Sequence, residues 1–226
     1  MITNGNQSNA MFTILVHDEE LPGISGLPPL FTVQAPIGTC EAPVSWPAPT
    51  PTDNCGIFST LVDHLPGSVF PVGLTSVIYT VMDVHGNVSE FPFQVEVLDN
   101  HLPEILGISG DLSVVSDPGS CTAVVNWTEP TPQDDCIISS FESTHTSGEA
   151  FSIGVTEVVY TVTDSSGLTA TAAFSISVMD DQAPTFLTAP ADITMGNDPD
   201  DCGAVVGWVA ATTSDNCAIA SVTSSH

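Results

Sequence analysis

Phe93-Gln94-Val95-Glu96-Val97-Leu98-Asp99-Asn100-His101-Leu102-Pro103-Glu104-Ile105 decides the fold. Phe93, Val95 and Val97 alternate with Gln94 and Glu96, the two-residue period of a β-strand with one buried face. Asp99 and Asn100 follow at once, and Pro103 keeps a helix from starting cleanly behind them. The same arrangement returns at 174–186 (FSISVMDDQAPTF) and at 12–24 (FTILVHDEELPGI), so that Asp18, Asp99 and Asp180 recur at one constant interval. A strand that passes through an acidic cluster straight into the next unit, with no linker, is a joint between repeated bodies.

The resulting 81-residue period runs without an insertion. Cys40, Cys121 and Cys202 match, as do Cys55, Cys136 and Cys217, Trp46, Trp127 and Trp208, and His64, His145 and His226. Gly73 matches Gly154, Tyr79 matches Tyr160, and Asp83 matches Asp164. A fixed period identifies a tandem array. Solenoid repeats are shorter and cannot bury a core alone, whereas a unit of this length with its own Trp can. The reading divides the chain into a closing strand of a preceding or neighbouring repeat (1–18), two full repeats (19–99 and 100–180) and an incomplete one (181–226).

Within a unit every signal is β. Ala42, Val44 and Trp46 alternate, and so do their counterparts Ala123, Val125, Trp127 and Ala204, Val206, Trp208. A proline-rich turn over 47–54 follows. Val77-Ile78-Tyr79-Thr80-Val81 is rich in β-branched and aromatic residues, and Asp83-Val84-His85-Gly86-Asn87 is a glycine-centred turn. About seven short strands per unit predict an all-β protein of tandem Ig-like β-sandwich domains.

Charge narrows the function. There is no Lys or Arg against 27 Asp plus Glu, a formal charge of −27. Phosphate backbones and anionic lipid need cations on the protein, so nucleic acid and anionic membrane surfaces are excluded as partners. No apolar run approaches the ~18 residues of a spanning helix. Without basic side chains, clustered carboxylates are left to metals, His⁺ or counterions.

Six cysteines form three pairs spaced by 15 positions, each inside one repeat. Zinc would need further ligands close by, so the expectation is three disulfides within repeats, Cys40–Cys55, Cys121–Cys136 and Cys202–Cys217. Closing a ~15-residue loop contributes ~3 kcal/mol in the chain-entropy model, and disulfides imply an extracellular or cell-surface setting.

The pattern C-x5-W-x2-P-x-P-x2-D-[DN]-C, followed by F-x-x-G-x-T-x-V-x-Y-T-V-x-D-x-x-G and the F-x-V-x-V-x-D-x-x-x-P joint, resembles the hyalin repeat (HYR) domain. That family is an Ig-related β-sandwich found in tandem in extracellular proteins. Trp46, Cys55, Phe70, Gly73, Tyr79, Asp83, Gly86, Phe93 and Asp99 sit where its motif expects them, while Val209-Ala210-Ala211 departs from the Pro-Ala-Pro of the loop. The resemblance implies cell adhesion or extracellular scaffolding and no catalysis.

Several sites follow as expectations. Asp18, Glu19, Asp99, Asn100, Asp180 and Asp181 at the joints, with Asp83 and Asp164 in the turns, are an oxygen-only set that suits Ca²⁺ and looks like the linkers between cadherin domains. Asp53, Asp134 and Asp215 would add ligands if they share that pole. Ordinary turn formation by Asp and Asn is the plainer explanation. Asn6, Asn87 and Asn126 head glycosylation sequons. The recurrent histidines suit packing roles better than metal ligation.

The third repeat stops 17 positions short of a full period. Completion is expected from further repeats of the same chain. The other route is donation of the strand carrying Phe12, Ile14 and Val16 into the unfinished domain of a second copy. The leading function is a structural segment of an extracellular fibre or stalk, in contact end to end with its own kind. The rival is a Ca²⁺-dependent adhesin that recognises glycan or protein.

Overall fold

The computed structural model describes Gly5 and residues 7–225. Asn6 and His226 lie outside the described residues. The chain forms two units, Met1–His101 and Leu102–His226, and all regular structure among the described residues is β.

In the first unit eight strands follow in order: β1 Gly23–Ser25, β2 Leu30–Gln34, β3 Glu41–Pro43, β4 Thr50–Thr52, β5 Ile57–Val62, β6 Val69–Pro71, β7 Gly73–Asp83 and β8 Val88–Leu98. A four-stranded sheet has the order β2-β8-β7-β5, and two antiparallel ribbons, β1·β4 and β3·β6, complete the sandwich. β8 contains the deciding stretch. It runs antiparallel to β7 and parallel to β2, with Phe31 opposite Val95 and Val33 opposite Val97. Pro92 is tolerated in this strand because β2 begins opposite Gln94, so β8 is still a sheet edge at Pro92.

The alternation places side chains as read. Phe93, Val95 and Val97 are buried, while Gln94 and Leu98 are exposed. They pack with Ala42, Val44, Trp46, Phe70, Val77 and Tyr79. The Trp46 ring meets Phe93 edge-on at 5.1 Å, and its Nε1–H donates to the Tyr79 hydroxyl at 2.9 Å. That bond lets a large indole be buried without an orphaned donor.

The second unit repeats this plan strand for strand. β9 Glu104–Leu106, β10 Leu112–Val115, β11 Thr122–Val124, β12 Thr131–Gln133, β13 Ile138–Ser143, β14 Ala150–Ser152, β15 Gly154–Asp164 and β16 Thr169–Met179 form the sheet β10-β16-β15-β13 and the ribbons β12·β9 and β11·β14. Trp127 lies 5.4 Å from Phe174 and donates to Tyr160 at 2.7 Å. The Tyr160 hydroxyl in turn donates to Glu129. Burial, then that carboxylate, pushes the Tyr160 phenol above its ordinary pKa.

Only part of the third repeat is organised. β17 Thr185–Thr188 and β18 Thr212–Ser214 make the counterpart of the β9·β12 ribbon, with Thr185 opposite Ser214 as Glu104 is opposite Gln133. Ala204, Val206 and Trp208 form no strand, because the strand that would pair with them, equivalent to β6 and β14, has no counterpart in the 226 residues. Nor does a strand form over Phe12, Ile14 and Val16, which are exposed.

The cysteine pairing differs from expectation. Cys121 is bonded to Cys217, with Cα atoms 4.9 Å apart, while Cys55 and Cys202 are free thiols. None of the pairs Cys40–Cys55, Cys121–Cys136 and Cys202–Cys217 exists; Cys40 and Cys136 are nonetheless disulfide-bonded. Topology explains the correction. Cys121 leads into β11 and Cys136 follows β12, strands that belong to different ribbons, so a spacing of 15 does not bring their ends together. The loop after β18 instead returns to Cys121, where Asn216 Nδ2 donates to the Ser120 carbonyl at 2.7 Å.

Candidate metal centre

Three loops of the first unit converge on Asp18, Asp53 and Asp83, which offer carboxylate oxygens within 4.8 Å of one another. Asp18 precedes β1, Asp53 follows β4 and Asp83 ends β7. The β1·β4 ribbon brings the first two together, and the β7–β8 turn supplies the third. Each carboxylate uses one oxygen to shape its own turn. Asp18 Oδ1 accepts from the Glu20 amide at 3.1 Å, and Asp53 Oδ1 from the amides of Cys55 and Gly56 at 2.9 and 3.0 Å. Asp83 Oδ1 accepts from His85 and Asn87 at 2.8 and 2.9 Å. Gly86, at φ 93°, gives that turn the left-handed step an L side chain resists.

The second oxygens define the site. Asp18 Oδ2 and Asp53 Oδ2 are buried and accept no hydrogen bond. The Asp18 side chain is only 7% exposed, and His85 Nδ1 lies 3.4 Å from its Oδ2. Asp83 is 1% exposed, and its Oδ2 accepts from Asn87 Nδ2. The Glu20 amide, then the Cys55 thiol, hold the Asp18 carboxyl below its ordinary pKa. Burial pushes Asp83 upward, but the Asn87 side chain and the amides of Asn87, His85 and Gly86 outweigh it, and the net shift is downward. Both groups are therefore ionised at neutral pH. Hydrogen bonding to Asp18, with burial and the surrounding carboxylates, pushes the Cys55 thiol up.

The residues fit a hard cation. Oxygens around Ca²⁺ at ~2.4 Å lie no more than about 4.8 Å apart across the ion, and one oxygen from each of Asp18, Asp53 and Asp83 lies within that span of the others. Buried carboxylate oxygens such as Asp18 Oδ2 and Asp53 Oδ2 are costly to leave unpartnered, and a cation would offset that cost.

The other candidate ligands divide. Asp180 Oδ1 accepts from the Gln182 amide at 3.0 Å, and Asp180 gathers with Asp215 and Cys217. Asp134, Asp135 and Cys136 also fall in one group. Asp164 repeats the Asp83 turn, accepting from Ser166 and Leu168 at 2.8 and 2.9 Å, but Leu168 stands where Asn87 does and Asp164 Oδ2 is left without a hydrogen bond. Asp99 caps its own turn through the His101 amide, and Asn100 donates to Gln34. Glu19 and Asp181 are exposed and join none of these groups. Asp53, Cys55 and His85 complete the surroundings of Asp18. Only the recurrence of Asp53 two positions before a cysteine hints at this in the sequence.

The sequon asparagines differ too. Asn87 Nδ2 donates to both Asp83 Oδ2 and the Asp18 carbonyl, at 2.6 and 3.1 Å, so a glycan on that nitrogen would displace one of these bonds. Asn126 is exposed. His64 and His145 pack at 5.2 Å on Phe70 and Phe151, with Nδ1 3.1 Å from Asp63 and 3.0 Å from Glu149.

Comparison with known proteins agrees with the repeat. The chain is 35% identical over 189 residues to "Hyalin" of Strongylocentrotus purpuratus, covering 78% of this chain and 15% of that protein. It is 31% identical over 174 residues to "Sushi, von Willebrand factor type A, EGF and pentraxin domain-containing protein 1" of Rattus norvegicus, covering 73% of this chain and 5% of that protein. The chain thus spans a small part of the length of these relatives. Among solved structures, human mucin-like protocadherin EC1-2 aligns with TM-score 0.34 and 14% identity over 70% of this chain and 98% of that one, too weak a likeness to carry a conclusion. The disulfides set the chain in an extracellular or cell-surface environment. The family model described as "HYR domain" matches residues 17–97 and again 98–178, and the chain belongs to the HYR domain family.

Proposed function

We propose that this chain is a structural segment of an extracellular adhesive fibre or stalk, built from HYR repeats set end to end and stiffened by Ca²⁺ at their joints. One observation carries the reading. Seven of the eight strands of the first repeat return in the second with the same 81-residue offset at both ends, and β10 begins one position late. Identical units joined without a linker give a constant step along a chain, which is what a fibre requires. The Asp18–Asp53–Asp83 cluster supports the role of calcium, since the chain has no Lys or Arg to neutralise it. Ca²⁺ would be held by the oxygens of those three residues, and its charge would lock the segment before β1 onto the β7–β8 turn.

Electron micrographs and small-angle scattering of the secreted chain, with millimolar Ca²⁺ and with chelator, test this. Extended particles that shorten on chelation, with a melting temperature lowered by several degrees, are expected. Compact single particles, or scattering and melting unchanged by chelator, would overturn it.

A further inference from the structure

We propose that the Cys121–Cys217 disulfide is a load-bearing strap: tension along the chain passes through it and leaves the strands β13–β16 unloaded. The inference gives the bond a mechanical role in the fibre proposed above, and it rests on that reading. The bond joins residues 96 positions apart in the sequence whose Cα atoms lie only 4.9 Å apart. A covalent link fixes the separation of its two ends. A pull applied before Cys121 and after Cys217 therefore does not stretch the chain in between.

What lies inside the closed loop decides the consequence. The strands β11–β18 all fall between the two cysteines. So does every buried member of the second unit's hydrophobic core, from Ala123 to Val178. The core's members before the loop, Ile105, Ile108, Leu112 and Val114, are only partly buried and come from β9, β10 and their connection. Cys136 is itself disulfide-bonded. Load that enters there reaches the strap through the short 121–136 segment, along β11 and β12, and still spares β13, β15 and β16 of the central sheet.

A Cys121–Cys136 bond would act in the opposite sense. It would close only the chain around β11 and β12 and leave β13–β16 in line with the pull. Pairing across two repeats turns a local staple into a strap around a whole β-sandwich core. It also limits how far the chain lengthens, since 96 residues extended at ~3.3–3.6 Å each would add roughly 320–350 Å.

Single-molecule pulling on the full chain tests the strap. One handle is attached through an azide-bearing residue in place of Gly110, which is exposed and has open space where a Cβ would stand. The other is attached at the C-terminus, so the two points flank the loop and no cysteine is added. The oxidised wild type should lengthen by no more than roughly 70 Å, the span of the ~20 residues between the handles and the bond. C121S/C217S, and the wild type after dithiothreitol, should release roughly 320–350 Å more. If the variant does not fold, that length appears as smooth extension, and the limit on the oxidised wild type still decides. Release of the long segment by the oxidised wild type, equal lengths before and after reduction, or a Cys121–Cys136 peptide in a chymotryptic digest would each overturn the strap. Compact single particles in micrographs, with the short limit intact, would sink the fibre and leave the strap standing.

Discussion

Trp46 and Trp208 occupy the same place in the repeat and meet opposite fates. Trp46 is 5% exposed, ringed by Phe70, Phe93 and Tyr79; Trp208 is 51% exposed. The local sequences are alike, since Ala42-x-Val44-x-Trp46 and Ala204-x-Val206-x-Trp208 carry the same alternation. The difference lies in strands far along the chain. Phe70, Tyr79 and Phe93 come from β6, β7 and β8, and the third repeat has no equivalent of these within the sequence. Yet its β17·β18 ribbon forms, and Cys217 still reaches Cys121. The ribbon and the disulfide belong to the joint and need only neighbouring loops, whereas the core needs both long central strands.

The sharpest way to break this comparison is to truncate both indoles. Trp46→Ala should cost ~3–5 kcal/mol, enough to unfold the first repeat, as expected for a large aromatic removed from a packed core. Trp208→Ala should change stability by less than ~0.5 kcal/mol, within the range of surface substitutions. Denaturant titrations of the two variants decide it; equal losses would mean that the third repeat has a core of its own.

A second test removes the joint. Opening Cys121–Cys217, with C121S/C217S, should destabilise the residues after Asp180 by roughly 2–4 kcal/mol in the usual range for a disulfide. The strands β13, β15 and β16 should keep their hydrogen-exchange protection. Loss of protection throughout the second unit would show that the bond supports the core as well.

The smallest effect sharpens the contrast between the two complete repeats. Asn87 satisfies Asp83 Oδ2, while Leu168 leaves Asp164 Oδ2 without a hydrogen bond. Leu168→Asn should therefore stabilise the second unit by ~1 kcal/mol, one hydrogen bond's net contribution, read as a rise in melting temperature. A fall would show that the oxygen serves another partner.

Much of this fold was legible residue by residue. Phe93, Val95 and Val97 announced their strand and its buried face through alternation alone, because a strand's geometry is local. Gly86 and Asp83 announced their turn for the same reason. Part of the candidate site is legible too: recurrence and charge single out Asp18 and Asp83 in the sequence. Glu19 and Asp181 could not be told from Asp18 and Asp180 in sequence, because neighbouring acids in a loop differ only in which way the chain turns them. Asp53 joined the cluster through the pairing of β4 with β1, a contact between segments well separated along the chain.

The cysteines mark the boundary between the two kinds of knowledge. The 81-residue period, the strand pattern within it and the absence of any basic counter-charge are properties of the linear chain. They follow from composition and from short-range stereochemistry. Six cysteines allow fifteen pairings, and proximity in sequence favoured the wrong ones. Only the tertiary structure joined Cys121 to Cys217 and gathered Asp18, Asp53 and Asp83, because a bond or a cation site depends on which loops the sheets bring together in space.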